Sequence, residues 1–184
     1  MLNPEQRSEL MRWMCARVIS AAGEMPVHVV CDDRDVATWA EASGAAVLWS
    51  PEQGLDAAVQ RGVAELARLG TESVVVSHGD LPLAHHLDRL VTHGSVTIVP
   101  DRRSDGSNVI VVPAAAEFPF AYGRRSFERH VRLATTAGLP LSVCRDPLLA
   151  LDVDTPDDFS HPLIQEVLPA WLRTNPVSPR PSPA

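Results

Sequence analysis

Between Ser73 and Ser77 the chain reads Ser-Val-Val-Val-Ser, with no charge inside the run and no glycine or proline to break it. An unalternated β-branched run of this length reads as a strand covered on both faces, as strands of parallel sheets are. Such a strand needs helices on either side of its sheet, and the flanking sequence supplies helical and strand patterns in alternation.

The alternation starts at Asn3, Pro4 and Glu5, which read as an N-cap, a first helical position and a charge favourable to the helix dipole; Leu10, Met11, Met14, Cys15, Val18 and Ile19 then form one apolar face. Strands are expected over Val27 to Cys31 and Ala45 to Trp49, with a helix to about Ala42 between them. A helix from Gly54 to Leu69 ends at Gly70, and another is expected over Pro82 to Val91. Strands near Val96 to Val99, Val109 to Val112, Leu141 to Cys144 and Ala150 to Val153, with a helix over Arg124 to Ala137, complete the pattern. The expectation is an α/β domain with a wound, mostly parallel sheet. At 184 residues one domain is the default, assigned to residues 1–173. Residues 174–184, with four prolines and no apolar periodicity, are expected to be a disordered tail.

The formal net charge of −7 leaves no broad basic surface for nucleic acid or an anionic membrane, so neither is an expected partner. Small phosphorylated ligands remain compatible with it, because local Arg residues, backbone amides and metal ions bind them in an acidic protein. Three widely spaced cysteines without a C-x-x-C pair read as reduced thiols filling the core, and no apolar stretch approaches the roughly 20 residues that span a bilayer. The expected compartment is the cytoplasm. Oligomeric state is not fixed by these features.

In open α/β sheets ligands gather beyond the carboxyl ends of strands. Asp80 stands there, in His78-Gly79-Asp80-Leu81-Pro82 directly after the Ser73 to Ser77 run, either presented over the sheet edge or capping the helix that follows. A second acidic cluster spans Asp152-Val153-Asp154-Thr155-Pro156-Asp157-Asp158. If it ends a strand, Asp152 and Asp154 share a face, and two carboxylates so placed invite a cation such as Mg²⁺. Asp157 and Asp158 are read as favouring the dipole of a helix beginning at Pro156. Arg102 and Arg103 are either a phosphate clamp or solvated charges, and Asn108 is suited to ordering its loop. The histidines lack zinc-ligand spacing and are read as surface or structural, and Ser126 with His130 one helical turn away lacks an acid to orient it as a hydrolytic pair.

Five strings carry a resemblance: GLDAAV at Gly54 to Val59, GDLPL at Gly79 to Leu83, PDRRSDGSNVIVV at Pro100 to Val112, FAYGRRSFERH at Phe120 to His130, and LALDVDTPDDF at Leu149 to Phe159. In order and spacing the chain resembles the phospholactate guanylyltransferase family of deazaflavin coenzyme (F-420) biosynthesis over roughly residues 3–160. The resemblance implies a Rossmann-like, glycosyltransferase-A-type nucleotidyltransferase fold that joins GMP from GTP to a phosphorylated three-carbon acid, phospholactate or phosphoenolpyruvate, releasing pyrophosphate. It implies that Asp80, Asp152 and Asp154 hold two Mg²⁺ ions and carry catalysis, that Ser107, Gly123 and Ser126 surround the acceptor with Asn108 and Arg102 beside them, and that Gly54, Asp56 and Asp80 face the nucleotide. The family prefers Asn where Asp56 stands; a carboxylate there accepts from a guanine N–H edge or caps its helix.

Family members open with an apolar strand and a basic loop, whereas this sequence starts at the following helix, so the fold is expected to be N-terminally truncated relative to the family pattern. Two alternatives follow: a reading frame that starts upstream, or a divergent homologue serving as a binding or regulatory subunit. A nucleotidyltransferase acting on a sugar phosphate or molybdopterin is the neighbouring enzyme reading.

Overall fold

The computed structural model describes residues 2–51 and 54–174. The tail expected from residue 174 onward lies, beyond Thr174 itself, outside the described residues.

Helix α1 (Pro4–Ala21) starts as its sequence demands: the Asn3 carboxamide oxygen accepts from the Gln6 amide at 2.8 Å, and the Gln6 side chain accepts in return from the Asn3 amide at 3.0 Å. Strand β1 (His28–Cys31) leads through the N-cap Asp33, which accepts from the amides of Asp35 and Val36, into α2 (Arg34–Ala42) and then β2 (Ala46–Trp49). β1 and β2 pair in parallel as a two-stranded sheet. Helix α3 (Gly54–Arg68) and strand β3 (Ser73–Ser77) follow as the pattern requires.

A second sheet has the order β3-β5-β4-β6, with β4 at Val96–Pro100, β5 at Ser107–Pro113 and β6 at Leu141–Val143. β3, β4 and β6 run one way and β5 is reversed, antiparallel to both β3 and β4. Six residues, 101–106, connect β4 to β5, which is half the length that a parallel crossover needs. The reversal is therefore dictated by loop length, and the α/β class holds with one strand turned against the others. Pro100 sits at a register shift, where its missing N–H leaves no ladder bond unmade.

β5 lies in the middle of this sheet and its two faces separate the cores. Ile110 and Val112 join Val63, Val74, Val96, Ile98, Phe118 and Phe120, beneath α3 and helix α4 (Ser126–Thr136). Val109 and Val111 join Ala21, Leu81, Leu87, Leu90, Val99 and Leu149 on the opposite face. A third cluster packs Leu10 and Met14 of α1 against Leu151, Phe159, and the short helices α5 (Pro162–Val167) and α6 (Ala170–Thr174).

Two expected elements take another form. The segment after Asp80 contains only a turn of 3₁₀ helix at Leu87–Leu90, so Asp80 caps no helix over Pro82 to Val91. No strand forms over residues 150–153. Its backbone is engaged elsewhere: the Leu149 carbonyl accepts from the Asn108 side chain at 2.9 Å, the Ala150 carbonyl from the Arg102 amide at 3.0 Å, and the Val153 amide donates to the Asp80 carbonyl at 3.1 Å. No helix among the described residues is long and apolar enough to cross a membrane.

Candidate active site

The site gathers at the carboxyl end of β3. Gly79 has no room for a side chain, because a Cβ there would lie 2.6 Å from the Cys15 sulfur of α1, whose thiol donates to the Gly79 carbonyl at 3.4 Å. α1 thereby presses the turn down and fixes the direction in which Asp80 leaves the sheet. The Asp80–Val153 backbone bond then draws the second acidic segment to the first. Leu151 is buried in the third core cluster and Val153 packs against it, so Asp152 and Asp154, alternating with them, turn away from that cluster. The strand on which the two aspartates were expected to share a face is absent, and what brings them into relation is that the charge of Asp154 bears on Asp152.

The electrostatics record three carboxylates in mutual range. Burial pushes the Asp80 carboxyl up, opposed by the His78 charge and assisted by that of Asp154. Asp152 is pushed up to about 6, by burial first and then by the charges of Asp154, Asp80 and Asp101. One oxygen of Asp80 is buried with no hydrogen-bond partner. An orphaned anionic oxygen beside two more carboxylates fits a cation, which would offset both the repulsion and the desolvation. Among the described residues no three such side chains close around a point as a ready-made metal cage. Mg²⁺ is commonly held by one or two carboxylates, with phosphate oxygens and water completing its shell.

Asp158 has a larger part than the dipole role expected of it. It is 2% exposed, and one oxygen accepts from the Asp154 amide at 3.1 Å, the Thr155 amide at 2.7 Å and the Thr155 hydroxyl at 2.9 Å, while the other is paired with Arg102. Although burial pushes its carboxyl up, the bonds from Thr155 and the Arg102 charge hold it below the usual carboxylate range. The structure thus places Arg102 in an ion pair that braces the acidic loop. A stretch that reads as helix-start charge in sequence hides this hub, because a capping box and a buried anchor look alike there.

On the far side of β5, Ser107 and Ser126 are both buried. The Ser107 amide donates to the Ser126 hydroxyl at 3.2 Å, and the Ser107 hydroxyl meets Nδ1 of His130 at 3.0 Å. His130 therefore serves Ser107 rather than Ser126, reaching from helix to strand rather than along its own helix. Its Nε2 accepts from the Ala121 amide at 2.9 Å, which leaves Nδ1 as the protonated nitrogen that donates to Ser107. Gly123, exposed at φ 94°, supplies the carbonyl that accepts from the Ser126 amide. α4 begins at Ser126, two residues later than expected, since Arg125 adopts a left-handed backbone. The first-turn amides of Ser126 and Phe127 are already bonded, to the Gly123 and Asp105 carbonyls, so they are not free to seat an anion.

Asp56, exposed in the first turn of α3, accepts from the Tyr122 amide at 2.7 Å and so ties the Gly54 end of α3 to the Tyr122-Gly123 loop. Asp101 accepts from the amides of Arg103, Asp105 and Gly106, building the hairpin that delivers Ser107 and Asn108. The sequence predicts neither the amide-gathering role of Asp101 nor the buried-anchor role of Asp158, although the Asp-x-x-x-Asp-Gly spacing at Asp101 is a recognisable turn signal.

A wound α/β sheet whose carboxyl end gathers acidic side chains is the architecture of a nucleotidyltransferase. Solved structures agree on the fold: a protein of Desulfovibrio desulfuricans G20 assigned as a nucleotide-diphospho-sugar transferase superposes with a TM-score of 0.68 at 16% identity, over 90% of this chain and 78% of that one. A cytidylyltransferase of Leptospira borgpetersenii gives 0.56 at 16% identity, over 82% and 72%. The chain belongs to the CofC-like guanylyl transferase family, whose model matches residues 1–166. It is 31% identical to the phosphoenolpyruvate guanylyltransferase of Rubrobacter xylanophilus across 169 residues, 87% of this chain and 82% of that protein. It is 32% identical to the 2-phospho-L-lactate guanylyltransferase of Methanoregula boonei across 161 residues, 86% and 71%.

Proposed function

We propose that this chain transfers the guanylyl group of GTP to the phosphate of a three-carbon phospho-acid, phosphoenolpyruvate or 2-phospho-L-lactate, in a route to coenzyme F-420. A phosphate oxygen of the acid attacks the α-phosphorus of GTP, a new phosphorus–oxygen bond forms, and the bond to the β-phosphate breaks to release pyrophosphate. Both reactants are anions, so the work is alignment and charge neutralisation rather than covalent catalysis by the protein.

Asp80, Asp152 and Asp154 are the proposed holders of Mg²⁺, which supplies neutralisation of the charge that builds on the phosphates. The observation that carries the assignment is the backbone bond from Val153 to Asp80, which draws the acidic segments together beside an orphaned Asp80 oxygen. Gly54 and Asp56 are proposed to face the nucleotide. The Ser107, Asn108, Gly123 and Ser126 segments shape the acceptor side, and Arg102 braces the acidic loop through Asp158. The domain is proposed to span residues 1–173.

Pyrophosphate release from GTP and MgCl₂, measured with phosphoenolpyruvate, 2-phospho-L-lactate and 3-phosphoglycerate in parallel, tests the reading. Release with one of the first two is expected, and silence with every acid would overturn the proposal.

A further inference from the structure

Beyond β3 the chain passes through Asp80 into residues 81–86, and the second acidic segment is approached through residues 146–151. The two stretches are joined at one end by the backbone bond from Val153 to Asp80. At the other end His85 joins them, its Nε2 lying 3.3 Å from Oδ2 of Asp146. Between these links Leu81 and Leu149 are buried in one cluster, and Leu83 packs against the cluster that holds Leu151. The result is a closed frame with a backbone bond at one corner and a side-chain pair at the opposite one.

Asp146 shapes the turn that leads into the acidic segment. Its Oδ1 accepts from the Leu148 amide at 2.9 Å and the Leu149 amide at 3.0 Å, and its carbonyl accepts from the Ala150 amide at 3.0 Å. Oδ2 faces His85. The ring is oriented by the Leu83 carbonyl, 3.3 Å from its Nδ1, so both nitrogens meet oxygen and Nε2 can donate to Asp146. The segment bearing His85 is in turn held to α1, where Nε of Arg17 donates to the Pro82 carbonyl. The side chains of His85 and Asp146 are 33% and 24% exposed, and a pair so placed adds little to global stability. Its consequence is local: it fixes how the two acidic segments lie against each other.

We propose that His85 is a positioning residue for the metal site, closing the frame through Asp146 and so setting how Asp152 and Asp154 stand relative to Asp80. This rests on the assignment of Mg²⁺ to those three carboxylates. His85 touches neither metal nor substrate, and acts only through Asp146.

Titration calorimetry of the full chain with MnCl₂, in the absence of nucleotide, tests this, since Mn²⁺ takes the same oxygen ligands as Mg²⁺. Asp80→Asn should abolish the binding. His85→Ala should weaken it about tenfold, with a melting temperature in chelator within about 3 °C of wild type. His85→Gln keeps a donor toward Asp146 and should recover most of the affinity. Adding Asp146→Asn to His85→Ala should cost less than about a further twofold, because the link is already open. The MgCl₂ concentration that gives half-maximal pyrophosphate release should rise in the same proportion as the calorimetric constant. Equal Mn²⁺ affinity in wild type and His85→Ala, equal losses in His85→Ala and His85→Gln, or a further large loss with Asp146→Asn overturns the proposal. Absent binding, or binding that survives Asp80→Asn, removes the metal assignment and this inference with it. Binding that follows the expected pattern without any pyrophosphate release sinks the transfer reading and leaves the frame standing.

Discussion

The amide of Val153 donates to the carbonyl of Asp80 at 3.1 Å, so two acidic segments more than seventy residues apart in the chain are joined through their backbones. Their side chains are thus held close by a bond that does not depend on any cation, and the repulsion between them is built in. Asp152→Asn should show both consequences. Turnover should fall by about a thousandfold, since metal-borne charge stabilisation contributes several kcal/mol. Without Mg²⁺, however, the variant should be about 1 kcal/mol more stable than wild type at pH 7, because a half-buried carboxyl pushed up to about 6 is charged there at a cost. MgCl₂ should raise the melting temperature of wild type and leave that of the variant nearly unmoved. A variant less stable than wild type in chelator would contradict this account.

Asp158 tests whether the acidic loop is held from beneath. Asp158→Ala leaves two amides and a hydroxyl without their acceptor and Arg102 without its partner, which should cost about 2 to 4 kcal/mol in urea unfolding. Arg102→Ala should cost less, because that side chain is one-third exposed. If Arg102 acts only through this pair, its removal in the Asp158→Ala background should add almost nothing; a large added loss of acceptor affinity would give it a direct phosphate contact.

Much of this was legible in the chain and the exceptions have identifiable causes. Asn3, Pro4 and Asp33 announce their helices because capping is local, and Ser73 to Ser77 announces a covered strand because burial on two faces leaves no alternation. The reversal of β5 departs from the mostly parallel sheet that the sequence predicts, although the short connection from β4 already forbids a parallel crossover. Residues 149–154 misled because their apolar alternation, Leu149, Leu151 and Val153, packs against helices and not within a ladder. The unpartnered side-chain atoms of His78 and Tyr122 left no trace in the sequence, because an orphaned atom is a property of three-dimensional surroundings that neither spacing nor composition records.

Gly79 is needed for space rather than for backbone freedom. A methyl group there would stand 2.6 Å from the Cys15 sulfur, so Gly79→Ala must turn the Cys15 side chain out of its place, push α1 away or tilt Asp80. It should destabilise by about 1 to 3 kcal/mol and lower turnover as well. Cys15→Ala removes the obstructing atom, and the double variant should therefore be more stable than Gly79→Ala alone, a coupling that two independent losses would not show. Strict additivity in unfolding measurements would show that the contact does not limit the turn.

His130 links stability to pH through the same hydrogen bonds that position Ser107. Its Nε2 must keep a lone pair for the Ala121 amide, and burial, with the charges of Arg129 and His78, pushes its pKa down to about 4. In the unfolded chain the same imidazole titrates near ~6.5. Between those values the unfolded state takes up a proton that the native state refuses, so acid favours unfolding. The stabilisation associated with His130 is complete above about pH 6.5 and is lost as pH falls toward 4. His130→Gln should be less stable than wild type at pH 7.5, by about 1 to 3 kcal/mol for the disturbed bonds to Ser107 and Ala121. Between pH 7.5 and pH 5 it should lose less than wild type does, since glutamine has no proton to accept. Equal losses for the two proteins over that interval would show that the ring titrates normally in the native state and that its hydrogen bonds survive protonation.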